Sequence, residues 1–466
     1  MKALALVDRI HLHFNLPVTT VVIADRRCIG NDVITRRFIA WFRSSHGLSF
    51  IIRLSYAVPI VMSPTRSLES IPETNFWRLI NRPIVGLSPM DGVTDASFRY
   101  ITAKHGVPDV IFTEFVNIQA AFHAAHTLIK DLTYCEIERP IVAQIYGRSP
   151  ELFYKVAHIV CELGFDGLDI NMGCPARKVA AAGCGAALIR EPGLAITIIR
   201  AVKVGIKDWC AGQTLSDIEV EPELIKKIKM ANRLRTGTDI PPERRPIPVS
   251  VKTRLGYDRI VVDDWIATLL EENPAAISLH GRTLQQGYKG DADWGAIARA
   301  VKVGEDSETL ILGNGDLQDM AQVQRRLRET EVDGVLLGRA AQGNPWIFRA
   351  KHQLKHALAE NRQLCIASMP VSLEERFRVV SEHSQHHAQQ ASDENFVGIR
   401  KHLTWYCRGL RGAAEMRSQM VRVKTAGEVE QCLKNFIAQS AEAERRSNDR
   451  HEGPAAIVIP DRHVIL

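Results

Sequence analysis

Cys174 stands in the stretch Asn171-Met172-Gly173-Cys174-Pro175, where glycine and proline on either side of the thiol forbid regular structure. A short apolar run, Gly167-Leu168-Asp169-Ile170, precedes it and reads as a buried strand. A cysteine on such a loop, just past a strand's end, is placed for thiol chemistry rather than packing, although most lone cysteines are buried small hydrophobes. Lys252 and His280 occupy equivalent places after other apolar runs. Gly313-Asn314-Gly315-Asp316 and Gly338-Arg339 offer close backbone approach and a cation, which suits a phosphate.

These groups need a frame that brings them together. From Pro83 the chain repeats a short apolar strand, a polar loop and a helix. The strands are expected at Ile84–Leu87, Val110–Thr113, Ile141–Ile145, Leu168–Ile170, Val249–Lys252, Ala276–Leu279, Leu310–Leu312 and Gly334–Leu337. Alternation with helices argues a parallel α/β fold, and eight units over roughly 250 residues fit a (β/α)8 TIM barrel. In a barrel the polar loops converge on one face, where active sites form.

Composition sets outer bounds. Apolar content of 45% and charge of 24% are ordinary for a globular chain. A net charge of +6 only weakly favours a polyanionic partner. The nine cysteines include no CxxC pair, which argues against a metal knot or a secreted disulfide framework and for a reducing cytoplasm. No apolar run approaches the ~20 residues that span a bilayer, so no membrane association is expected. Residues 1–75 are arginine-rich and poor in acids, which leaves an organelle transit peptide open beside an ill-chosen start codon or a poorly ordered extension. No function is assigned to them.

Taken together, PMDGVTDASFR (89–99), TEF (113–115), AQIYG (143–147), LDINMGCPARKVAAAGCGAALI (168–189), VSVKTRLGYD (249–258), LHGRTLQQGYKGDADW (279–294), GNGD (313–316) and LLGRAAQGNPWIF (336–348) resemble the tRNA-dihydrouridine synthases. The resemblance continues through IRKHLTWYCRGLRGAAEMR (399–417). It implies a TIM barrel with FMN at the strand ends, then a smaller all-α helical domain, with tRNA held between them. The expected division is an extension 1–75, a barrel 76–355 carrying an insertion 205–246, a tRNA-binding helical domain 356–443 and a charged tail 444–466 whose composition reads as disordered. A monomer reduced by NADPH is expected, with no metal.

By the same resemblance, Cys174 is the catalytic acid, while Gln144, Lys252 and His280 contact the flavin. Asn314, Gly315, Asp316, Gly338 and Arg339 line its ribityl-phosphate end, and Pro89, Met90 and Asp91 pack under its ring. Asn171 and Arg282 lie near the uracil, and Arg400 and Lys401 belong to the RNA surface. The chemistry agrees with such a set. Hydride adds at uracil C6, conjugated to the C4 carbonyl, and C5 then needs a proton from a neutral thiol. Lys252 or Asn171 can stabilise the developing charge, and Lys252 is favoured as an anchor to the flavin.

The chain departs from the family pattern in its N-terminal extension, in Cys184 between Gly183 and Gly185, and in the insertion. There Lys226, Lys227, Lys229, Arg233 and Arg235 on a helix over Glu221–Arg235 either touch RNA or form a solvated face. Between Phe396 and Lys424 basic residues interleave with His402, Trp405 and Tyr406, as in a backbone-tracking RNA surface or an ordinary helix pair. His383, His386 and His387 read as a polar helix face. A flavin barrel acting on a free small molecule, dihydroorotate-dehydrogenase-like or an ene-reductase, is the alternative enzyme, and an RNA-binding module with a decayed site is the non-enzymatic one.

Overall fold

The computed structural model describes residues 18–30, 33–44, 49–59, 75–123, 125–364, 371–390 and 393–451. It divides into two units, residues 1–72 and 73–466. In the first, β1 (Val18–Gly30), β2 (Val33–Ser44) and β3 (Ser49–Pro59) form an antiparallel sheet in sequence order. The runs Val21–Ala24 and Ile51–Ile52 thus fall on strands that arginines made hard to see.

In the second unit β4 (Ile84–Leu87), β5 (Ile111–Asn117), β6 (Ile141–Tyr146), β7 (Gly167–Met172), β8 (Val249–Arg254), β9 (Ala276–His280), β10 (Leu310–Asn314) and β11 (Gly334–Leu337) close into a barrel. Neighbours are parallel throughout, and β11 pairs with β4. The strands are buried on both faces, as covered parallel sheets require. Inside, Phe112, Val142, Leu312 and Leu336 cluster with Trp77 from the short helix Phe76–Leu79. Several strands run beyond their expected C-terminal ends, because the ladder continues through the polar residues: Asn171 pairs with Lys252, and Arg254 with His280.

Three boundaries differ from expectation. The helix Pro192–Cys210 runs through residue 205, so the inserted segment starts later. The helix Lys351–Ala359 crosses the expected limit at 355, and its Leu354 and Ala357 lie in the barrel core. The final helix, Ala426–His451, passes the limit at 443; the rest of the tail lies outside the described residues. The helices Leu373–Gln390, Arg400–Tyr406 and Ala413–Met420 share with it a second core that also takes in Ile101 and Trp346 of the barrel unit. Among the described residues no single helix is long and apolar enough to cross a membrane.

The insertion's helix, Pro222–Thr236, is tied to the segment before β7. Asn232 donates to the Glu162 carbonyl at 2.7 Å and Arg235 to the Leu163 carbonyl at 2.9 Å. Cys174 follows β7, so this helix sits at the opposite end of the barrel. Arg235 is further committed to Glu136 and to the Tyr134 ring. It is a structural tie rather than a free cation.

Candidate active site

The barrel ladder sets the site. Asn171 is level with Lys252, and His280 lies between Arg254 and Asn314, all at strand C-terminal ends. They open into a cavity of about 1920 Å³ that Pro89, Met90, Asp91, Gln144, Cys174, Gly315, Asp316, Gly338 and Arg339 also line. Small-molecule pockets usually measure about 300–1,000 Å³, so there is room for a cofactor and a substrate group together.

Cys174 is held from several sides. The Asn171 side-chain oxygen accepts from the Cys174 and Gly173 amides at 2.8 and 3.0 Å. Arg254 donates Nε to the Gly173 carbonyl at 2.7 Å. The Ala186 amide reaches the Cys174 carbonyl at 3.3 Å. Burial pushes the thiol above its ordinary range and nearby Asp91 adds to this, against the Ala176 amide, Arg254 and Lys252. The thiol therefore stays protonated at neutral pH. Cys184 is buried but does not line the cavity; its Sγ faces the Ala182 carbonyl at 3.5 Å.

Gly185 has φ +60°, and a Cβ there would lie 3.0 Å from the Cys174 Cβ. Gly185→Val is expected to cost about 1–3 kcal/mol from the left-handed backbone alone. It would lower the unfolding midpoint and displace the thiol. Thermal denaturation, with Cys174 alkylation as a second probe, checks this.

Beneath the thiol loop lies Asp169, fully buried on β7. It accepts from Ser250 Oγ at 2.6 Å and from Gln144 Nε2 at 2.7 Å. Burial raises its carboxyl to about 6 against those two hydrogen bonds and Lys252. Gln144 in turn accepts from Asn171 Nδ2 at 3.0 Å. Lys252 is lowered to about 8 by burial and by Arg254, with Asp169 opposing. Its Nζ lies 3.4 Å from Asn314 Oδ1, and Asn314 Nδ2 donates to the Leu336 carbonyl at 2.8 Å.

Around His280 the charge is positive. Burial, then Arg254, Lys252, Arg282 and Arg339, hold the imidazole far below its usual range, so it is neutral. Arg282 makes a bidentate pair with Asp316 at 3.0 and 2.6 Å and donates to the Gly290 carbonyl at 2.5 Å. Asp316 also receives Arg339 at 2.8 Å and the Ala292 amide at 2.8 Å. Arg282 and Asp316 thus brace the wall, their polar atoms engaged with protein. Arg339 is 60% exposed, so it keeps donors for an anion.

The helical part contributes differently from expectation. Arg400 donates to the Val423 and Arg422 carbonyls at 2.8 and 3.4 Å, which makes it an internal tie. Lys401 is exposed, and its Nζ lies 3.6 Å from where a Cβ on Gly92 would stand. Neither lines the cavity, whereas Trp405 and Arg408 do. Tyr406 is core, with its hydroxyl 3.1 Å from His383 Nδ1. His383 and His386 are no solvated face: His383 is fully buried against His402 and Phe98, and His386 stacks on Tyr100 at 4.1 Å. Among the described residues no group of acids, histidines and cysteines could hold a metal.

Residue-type reasoning missed Asp169, Arg254 and Tyr288. Tyr288 lies within the cavity wall between Arg254 and Arg339, its ring centroid 6.0 and 5.6 Å from their guanidinium carbons. All three stood inside quoted motifs. Arg254 could have been found by its place at the end of β8, whereas Asp169 lies inside β7 and Tyr288 well past the end of β9, so neither carried that signal.

A closed parallel barrel with a protonated thiol, a lysine and clustered cations at its strand ends is an α/β-barrel enzyme frame. The dihydrouridine synthase (Dus) family profile matches residues 86–211 and 220–442. A probable tRNA-dihydrouridine synthase 2 of Bacillus subtilis (strain 168) is 33% identical over 78% of this chain and 96% of its own length. A probable tRNA-dihydrouridine synthase of Staphylococcus aureus (strain MRSA252) is 32% identical over 79% of this chain and 97% of its own. A solved structure of DHODH from Eimeria tenella has a TM-score of 0.37 at 13% identity over 60% of this chain and 82% of its own, too distant to bear on function. The chain belongs to the dihydrouridine synthase family, whose members are oxidoreductases.

Proposed function

We propose that this chain reduces uridines in tRNA to 5,6-dihydrouridine, using FMN at the barrel's strand ends and NADPH to reduce it. The observation that carries this reading is the gathering of a neutral, buried thiol with Lys252, Gln144 and His280 around one cavity. The residues present fit a flavin nucleotide. Gln144 keeps a second amide N–H beyond its bond to Asp169, and Lys252 is a cation in the cavity wall. A Cβ on Gly338 would stand 3.3 Å from the Met90 sulfur, so a side chain there would crowd the cavity wall. Arg339 and neutral His280 offer a charged and an uncharged partner for a phosphate end.

When bound, FMN supplies the hydride that adds to C6. The chain's own residues do the rest. Cys174 gives its thiol proton to C5, and the Asn171 bonds hold the loop that carries it. Lys252 and Gln144 orient the flavin by charge and hydrogen bonds, and Lys252 also offsets negative charge on the bound groups. Trp405 and Arg408 at the cavity wall stack against and pair with RNA. Turning a base out of the folded tRNA costs a few kcal/mol, which the helical part's grip offsets.

A pH dependence follows. Lys252 carries charge below about 8 and loses it as pH rises through that value. The Cys174 thiol, shifted upward, keeps its proton over the same window. The single-turnover rate on tRNA is therefore expected to fall as pH passes about 8, and Lys252→Met should start slow and lack that step.

The function itself is tested with protein whose bound flavin has been reduced by NADPH without oxygen. Unmodified tRNA should reoxidise it, and mass spectrometry should find two hydrogens added at a uridine. Flavin that ignores tRNA but is reoxidised by a small enone or by orotate would overturn the reading in favour of a small-molecule reductase.

A further inference from the structure

Asp169 has no contact with the thiol, yet a continuous set of side chains links them. The Asp169 carboxylate accepts from Gln144 Nε2 at 2.7 Å, Gln144 Oε1 accepts from Asn171 Nδ2 at 3.0 Å, and Asn171 Oδ1 accepts from the Cys174 amide at 2.8 Å. The polarity of this chain is fixed at both ends. The backbone amides of Gly173 and Cys174 can only donate, so Asn171 must show them its oxygen. At the other end an ionised carboxylate can only accept, so Gln144 must show it nitrogen. Flipping Gln144 would set its nitrogen against that of Asn171 and its oxygen against Asp169, and flipping Asn171 would set oxygen against oxygen at Gln144 and nitrogen against the loop amides.

Every member is buried: Asp169 and Gln144 are 0% exposed and Asn171 5%. Water therefore cannot readily replace a missing partner, and an unpaired group keeps its full desolvation cost. Ser250 holds the second Asp169 oxygen at 2.6 Å, which fixes the carboxylate itself. We propose that Asp169 is a positioning residue for the reaction: through Gln144 and Asn171 it sets the place of the Cys174 loop. The relevance to uridine reduction rests on the proposed function, but the relay can be tested without turnover.

The test measures the rate at which iodoacetamide alkylates Cys174 in the purified full-length protein, resolved by peptide mass spectrometry, with Cys432 in the helical part as internal reference. Asp169→Leu removes the acceptor. It is expected to raise Cys174 alkylation roughly tenfold, about what one lost buried hydrogen bond allows, with Cys432 unchanged. Asp169→Asn can still present one oxygen to Gln144 and should stay within about threefold of the parent, since that bond survives. If Asp169→Leu does not fold, Gln144→Met cuts the same relay one link nearer the loop at similar volume.

The decisive comparison uses Asn171→Ala alone and combined with the relay variant. If both act through one path, the double variant alkylates no faster than Asn171→Ala, because coupled groups are not additive. Wild-type alkylation in both relay variants, or effects that multiply in the double variant, would overturn the proposal. Because the readout needs neither tRNA nor flavin, it can succeed even if the uridine-reductase reading fails.

Discussion

Replacing Cys174 by alanine is expected to slow uridine reduction by about 10²- to 10⁴-fold, the usual contribution of a positioned general acid. The argument is geometric before it is electrostatic. The loop is held by Asn171, by Arg254 through the Gly173 carbonyl and by the Ala186 amide, so the thiol is delivered to the cavity wall by bonds that do not involve sulfur. Removing the sulfur should leave those bonds, and therefore the bound flavin and the tRNA affinity, unchanged. Single-turnover reoxidation of reduced flavin by tRNA measures the loss directly, while the flavin absorbance spectrum and a tRNA binding assay report the rest. Undiminished reduction by Cys174→Ala would remove the thiol from the mechanism.

Arg99→Met is expected to destabilise the barrel unit by about 3–5 kcal/mol, the usual cost of stranding one partner of a buried ion pair. Arg99 and Glu138 are each about 1% exposed and pair at 2.7 Å. Arg99 also donates to the Thr94 carbonyl at 2.7 Å and the Thr133 carbonyl at 2.5 Å, and Glu138 accepts the Cys135 amide at 2.8 Å. Burial already pushes the Glu138 carboxyl upward, and loss of Arg99 pushes it further. A folded-state pKa above the unfolded one favours the fold at low pH and loses that benefit as pH rises through it. The deficit of Arg99→Met should therefore shrink on acidification, as urea unfolding at mildly acid and mildly alkaline pH would show. Arg99→Met combined with Glu138→Leu should cost less than Arg99→Met alone, since no stranded carboxylate remains. The pair matters to the site because Thr94 also bonds Met90, on the cavity wall, through its hydroxyl at 3.0 Å.

What could be read from the residues was whatever the chain makes locally. The eight strands were legible because each is a short apolar run between turn-forming residues. The Cys174 loop was legible for the same reason, from the glycine and proline beside the thiol, whereas the two amides that Asn171 accepts from within three residues emerge only in the structure. The motifs that follow β8, β9, β10 and β11 could be assigned to one face because every strand in a parallel barrel ends on the same side.

Partners far apart in the chain were not legible. Arg282 and Asp316 are both polar residues on strand-end loops and equally suited to a ligand; only the register of β9 beside β10 spends them on each other. Arg254 reaches back to Gly173 because β8 lies against β7. In the helical part, Arg400 and Arg408 look alike as basic residues, but packing commits the first to the carbonyls of residues 422 and 423 and leaves the second on the cavity wall. The sequence by itself determined the barrel, its chemical face and the thiol on it, because these follow from local pattern and strand polarity. Which cations face the cavity, and which acid anchors the thiol loop from below, was decided by tertiary structure, because register and burial choose each polar group's partner.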